Sequence, residues 1–168
     1  MNIIQKARSF AIDAHRDTKY GELPYDYHLK QVAELCGPEP SDTLMSAAWL
    51  HDVVEDTSVT LNDIRGMFGG HVAQLVDCVT DGDGDNRWER KQAMYKKLGA
   101  GPVEARRLKL ADRVANMRAS IENPKMAAMY AREFPEFIRI AGAEEANNDL
   151  IVQAMWLYVS YMETVDNG

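Results

Sequence analysis

The sequence predicts an all-α fold of about eight helices, and three observations predict it. Apolar residues recur at the i, i+3, i+4, i+7 spacing of a helix face in segment after segment, beginning with Ile3, Ile4, Ala7, Phe10, Ala11 and Ala14. The alternation that marks a half-buried strand is nowhere sustained. Glycine and proline punctuate the periodic segments at Gly21, Pro24, Gly37-Pro38, Gly69-Gly70 and Gly101-Pro102. At 168 residues the chain has room for one such domain, expected to span residues 1–168.

The elements follow in order. After the first amphipathic helix, the stretch Tyr20 to Pro24 breaks the pattern, and a second helix is expected from about Tyr25 to Cys36. Ser41 is a good N-cap for a third, running through Ala47, Ala48, Trp49 and Leu50 towards Val54. Thr60 with Asp63 three positions on resembles a capping box and opens a short helix that stops at Gly69-Gly70. Val72, Leu75, Val76 and Val79 mark the next. The run Asp81 to Asn86 invites a calcium-loop reading, but the twelfth position counted from Asp81 is Gln92 rather than the required Glu, so a mobile polar loop is expected instead. Helices are then expected over Arg87 to Leu98, Val103 to Ile121 (with Pro102 at its start), Lys125 to Ala141 and Glu145 to Thr164.

Composition excludes some functions. A formal charge of −7 argues against coating long nucleic acid, which requires a basic surface, though it leaves a small anionic substrate open. No apolar run approaches the roughly 18 residues that cross a bilayer, so no membrane partner is expected. The N-terminus has no signal core. Cys36 and Cys78 match no zinc or redox spacing and sit in apolar helical patterns; two reduced, buried thiols in a cytoplasmic protein are the expectation. Nothing in the sequence sets an oligomeric state.

The chemistry concentrates in two places. In His51-Asp52-Val53-Val54-Glu55-Asp56, a helical wheel puts His51, Glu55, Asp52 and Asp56 within about 140° of one another, with Ala47, Leu50, Val53 and Val54 on the other side. Carboxylates crowded on a buried helix repel and lose hydration, and a bound cation is the simplest way to make them tolerable. In Leu108 to Asn116, Asp112, Asn116, Lys109 and Arg113 project together from a helix otherwise made of Leu, Ala and Val. Two imidazoles and two carboxylates suit one divalent transition metal, Mn²⁺, Fe²⁺ or Zn²⁺, better than calcium or magnesium, and the residues do not choose among the three. The second imidazole comes from His15, His28 or His71, with His28 modestly ahead because it follows the Pro24 turn at a helix start.

Four stretches carry a family resemblance: Gly21 to His28, Ala47 to Thr57, Phe68 to Thr80 and Lys109 to Arg118. Their H…HD…D order resembles the HD superfamily, and HD-x-x-ED-T followed by FG…LV…VT and KLADR…NMR is similar to the hydrolase domain of the RelA/SpoT alarmone enzymes. The resemblance implies metal ligation by His28, His51, Asp52 and Asp112, with Glu55 and Asp56 as the catalytic acidic pair. It places Lys109, Arg113 and Asn116 by the substrate, a small phosphorylated nucleotide. The implied reaction removes a 3′-pyrophosphate from guanosine alarmones, and the chain length implies a stand-alone hydrolase; another HD-type nucleotidase, or a module that only binds alarmone, are the alternatives. The family usually carries a guanine-holding Arg where this chain has Tyr20. A ring there would stack on a base while Lys19 supplied charge, which predicts weak discrimination between guanine and adenine.

Overall fold

The computed structural model describes residues 1–37, 39–142 and 148–166. Among them run ten helices: α1 (Ile3–Ala14), α2 (Asp26–Leu35), α3 (Asp42–Leu50), α4 (Val53–Asp56), α5 (Leu61–Phe68), α6 (Gly70–Val79), α7 (Arg87–Ala100), α8 (Val103–Ala119), α9 (Pro124–Ala141) and α10 (Asn148–Asp166). The all-α class is as expected. Between α1 and α2 the chain also forms a small antiparallel hairpin, β1 (Lys19–Tyr20) with β2 (Leu23–Pro24), turned by Gly21 at φ +61°. That positive φ suits a residue without a Cβ.

Local chemistry sets the helix starts. Ser41 Oγ accepts from the Leu44 N–H at 3.1 Å, and Thr60 and Asp63 exchange both bonds of a capping box. Asn123 caps α9, with Pro124 in the first turn where its missing N–H is harmless. The expected helix from Glu145 begins outside the described residues; its described part is α10.

Two helices form the spine. α3 packs on α1, α2, α6 and α8, and α8 additionally meets α6, α7, α9 and α10. Their small residues allow this: Ala47 and Ala48 on α3 and Ala105, Ala111 and Ala115 on α8 are fully buried, so neighbouring backbones approach closely around Leu44, Leu50, Leu108 and Leu110. The donors on α3 and α8 are therefore mounted on the two helices that pack against the most neighbours.

One expectation needs correcting. The third helix does not run on to Val54; α3 ends at Leu50 and α4 restarts at Val53. His51 keeps helical angles, but Asp52 flattens to φ −101°, ψ −6°, and the ladder resumes with the Asp56 N–H donating to the Asp52 carbonyl at 3.0 Å. The loop at Asp81–Asn86 is tied down rather than loose: the Gly82 N–H donates to the Arg90 carbonyl at 3.2 Å, and Asn86 caps α7. Cys36 and Cys78 are both buried and unpaired, as expected, and burial pushes the Cys36 thiol up to about 12.

Candidate metal centre

α2, the α3–α4 break and α8 deliver four donors to one point. His28 Nε2 and His51 Nε2 face each other at 3.3 Å. Asp52 Oδ2 lies 2.9 Å from His51 Nε2 and 3.4 Å from His28 Nε2, and Asp112 Oδ1 lies 3.3 Å from His28 Nε2 and 3.7 Å from His51 Nε2. Ligand atoms of His28, His51 and Asp112 all fall within 4.8 Å of one another, and all three residues are buried. The break in the helix matters here, because it turns Asp52 towards the imidazole of its own neighbour.

The surroundings orient these donors. His51 Nδ1–H points at the Ala48 carbonyl, 2.8 Å away, which leaves Nε2 as the lone-pair nitrogen facing the cluster. The Tyr25 hydroxyl donates to Asp52 Oδ2 at 2.8 Å. Asp112 takes Lys109 Nζ on Oδ2 at 2.9 Å and the Asn116 amide on Oδ1 at 2.6 Å. His28 is held differently: its Nδ1 has no hydrogen-bond partner among the described residues, and Tyr20 stacks on its ring at 4.6 Å between centroids. Tyr20 in turn donates its hydroxyl to Asn116 Oδ1 at 2.8 Å.

Electrostatics follow from the crowding. Burial works against the charged form of Asp112, but Lys109 and the two imidazoles outweigh it and hold the carboxyl well below the usual range. Burial likewise opposes His51 protonation, and the adjacent Asp52 and Asp112 reverse that, raising its pKa well above the ordinary value. Two imidazoles driven towards protonation by two buried carboxylates are an arrangement a divalent cation replaces directly, and the N₂O₂ donor set fits a transition metal.

A polar cleft of about 140 Å³ opens over this cluster. Glu55 and Asp56 stand on one wall. Glu55 Oε1 accepts from the Asp81 N–H at 2.6 Å, and Oε2 is not used by that bond. Lost hydration, with Asp52 and Asp81 nearby, raises the Glu55 pKa against the pull of Lys109. On the other walls stand Lys109, Arg113 and Asn116, joined by Arg87, Lys91 and Tyr130.

The structure brings together His28, His51, Asp52, Asp112, Glu55, Asp56, Lys109, Arg113 and Asn116 around one space. Tyr20 lies behind His28 rather than among the lining residues, and Lys19 is exposed on the hairpin, away from the lining. Of the remaining histidines, His71 is exposed at the start of α6, and His15 is buried, stacked on Tyr25 at 4.4 Å with Nε2 3.9 Å from Asp56 Oδ2. Sequence reasoning missed Arg87 and Lys91. Their i, i+4 spacing was visible, but only the fold turns that helix face to the cleft.

A helical bundle with paired imidazoles and carboxylates on its spine defines an HD-type centre, and the HD domain family model matches residues 7–137. The chain belongs to the HD domain family, whose members hold a divalent metal at such a centre. A Drosophila melanogaster protein named guanosine-3′,5′-bis(diphosphate) 3′-pyrophosphohydrolase MESH1 is 36% identical over 100 residues, covering 58% of this chain and 56% of that protein. The Danio rerio protein of the same name is 31% identical over 122 residues, covering 69% of this chain and 68% of its own length. A solved structure described as a metazoan orthologue of SpoT that hydrolyses ppGpp superposes with a TM-score of 0.81 over 95% of this chain and 96% of that one, at 24% identity, which establishes the shared fold.

Proposed function

We propose that the chain acts as a single metal-dependent phosphohydrolase unit that removes the 3′-pyrophosphate from guanosine alarmones such as guanosine-3′,5′-bis(diphosphate). The observation that carries this reading is the convergence of His28, His51, Asp52 and Asp112 at the floor of a cleft whose walls carry Glu55 and four cations. His28, His51, Asp52 and Asp112 are the ligand set, and manganese is the metal first expected of it. A cation bound there supplies Lewis acidity towards a phosphoryl oxygen and a nearby water.

The rest is done by side chains. Glu55 accepts a water proton at Oε2, and its raised pKa brings its basicity nearer to working pH. Asp56 orients that water. The new bond joins the water oxygen to the phosphorus attached to the 3′-oxygen; the bond between the 3′-oxygen and that phosphorus breaks, the 3′-oxygen takes up a proton in place of the one Glu55 accepted, and the nucleoside 3′-hydroxyl and pyrophosphate leave. Lys109 and Arg113 stabilise charge growing on the phosphate oxygens. Tyr20 and Asn116 keep His28 and Asp112 in register.

The relatives' printed activity and the donor geometry support the same substrate class. The test is metal analysis of purified protein together with mass-spectrometric screening against phosphorylated nucleotides. About one transition-metal equivalent per chain, and release of pyrophosphate from 3′-pyrophosphorylated nucleotides, are expected. Turnover confined to nucleoside monophosphates would reassign the enzyme to a nucleotidase, and tight binding without turnover would make it an alarmone-binding module.

A further inference from the structure

α10 is apolar on both of its sides. The inner side buries Leu150, Ala154 and Leu157 against α8 and α9. The outer side carries Val152, Met155, Trp156 and Val159, exposed at 65%, 45%, 67% and 48%, with Met162 continuing the line. Their i, i+3, i+4, i+7 spacing makes one uninterrupted stripe. A helix that is apolar all round is ordinarily buried all round, yet this one presents half of its apolar surface outward. The family match ends at residue 137, before α10 begins, so the stripe lies beyond the matched segment.

We propose that this stripe is the contact face of a homodimer, in which α10 of one copy crosses α10 of a second copy about a twofold axis near Trp156. Area supports this occupant. The stripe with the neighbouring Ile121, itself 65% exposed, offers on the order of 600 Å² per copy, and two such faces reach the lower bound of specific interfaces at about 1,200 Å². A twofold axis needs a self-complementary patch, and here knob and socket sit side by side. Trp156 projects from the surface, and next to it a cavity of about 200 Å³ opens between α8, α9 and α10, rimmed by Ile121 and Trp156 and floored by Met117, Ala127 and Leu157.

Charge narrows the choice further. α10 contains no Lys or Arg, so it lacks the basic flank that holds an amphipathic helix on an anionic membrane. The stripe itself is uncharged, while each copy carries a formal −7. Two copies therefore repel at long range and attract only where the stripes touch. Crossing helices also diverge at their ends, which keeps the acidic residues Asp149 and Glu163 of the two copies apart. The association should accordingly tighten as salt screens the net charge.

Sedimentation velocity and light scattering on the full chain test this. At about 100 µM the wild type should run as a dimer, dissociating with a Kd of roughly 10 µM and more weakly at low salt. Trp156→Glu should be monomeric at the same concentration, with an unchanged circular dichroism spectrum showing that it folds. Val159→Cys gives an independent readout: near the axis it should form an intermolecular disulfide under mild oxidation, since native Cys36 and Cys78 are buried. A wild type that stays monomeric at about 100 µM overturns the proposal. So does a dimer that survives Trp156→Glu, or one that weakens as salt rises.

Discussion

In α2, the end of α3 and α8, side chains are fixed by where single atoms must arrive; along the inner faces of α9 and α10 most are fixed only by being apolar on the right side. His51 must present Nε2 with Nδ1 turned to Ala48, and Asp112 must serve Lys109, Asn116 and the imidazoles at once. Each demand depends on particular donor and acceptor atoms at fixed distances. Phe134, Phe137 and Leu150 need only volume and burial, which several side chains supply. The family match covers residues 7–137 and leaves out α10, whereas the shared fold covers 95% of the chain.

If that contrast is right, the largest loss comes from one ligand atom. On the proposed reading, Asp112→Asn should abolish metal binding and reduce turnover to background, measured by metal analysis and pyrophosphate release. The amide is chosen over alanine because it keeps the side-chain volume and an oxygen to which the buried Lys109 ammonium can still donate, where alanine would leave that group facing a void. Full metal occupancy in this variant would remove Asp112 from the ligand set.

Glu55→Gln comes next. It should keep metal and nucleotide affinity and lose roughly two to four orders of magnitude in kcat, the usual share of a general base. The Asp81 N–H can still donate to the amide oxygen, so the wall keeps its shape. Near-normal turnover would put the base elsewhere.

On the other side of the comparison, Leu150→Ala should lower stability by about 2–5 kcal/mol through a cavity beneath α10, with kcat/KM at 25 °C within a few-fold of wild type. Denaturant unfolding beside steady-state kinetics reads both. A variant that lost chemistry and stability in equal measure would erase the distinction between the two regions.

The fold was legible because period, caps and breakers agreed: Ser41, Thr60 and Pro124 begin helices as their chemistry requires. The break after Leu50 was not, since nothing local forbids helix there; Asp52 is turned by what it meets across space, Tyr25 and the imidazoles. The centre was half legible. His51-Asp52 and Asp112 announced themselves through charge on an apolar helix, but choosing His28 over His15 required the resemblance, because each lies beside an apolar face and both are buried. Arg87 and Lys91 were illegible, lying on α7, whose face only tertiary packing brings to the cleft; the stretch Glu133 to Glu136 was marked only by its resemblance to a family helix that closes the nucleotide pocket.

The smallest effect, and the finest test of the contrast, is at Glu133, a charged residue of α9 that pairs with two of the cleft cations. Each lining cation is already paired: Lys109 with Asp112 at 2.9 Å, Lys91 with Asp81 at 2.6 Å, and both Arg87 and Arg113 with the one carboxylate of Glu133, at 2.7 and 3.1 Å. Phe137 and Tyr130 stack on Arg113, at 4.4 and 4.9 Å, so its guanidinium cannot swing away. Glu133 thus occupies the edge of Arg87 that a second phosphate group would take. Glu133→Gln should free that edge, raising affinity about 3–10-fold for nucleotides bearing two phosphoryl clusters and less for those bearing one, with kcat little changed. The same carboxylate has a pH signature. Burial opposes its ionisation, but Arg87 and Arg113 prevail and hold its pKa below the ordinary value. Its stabilisation is therefore complete above about pH 4.3 and is lost as pH falls through the folded value. Wild type should melt above Glu133→Gln at neutral pH, and the difference should close as pH falls below the ordinary carboxylate range. Equal KM values for both proteins across all phosphate counts would show that Glu133 braces α9 against α7 and has no part in choosing the substrate.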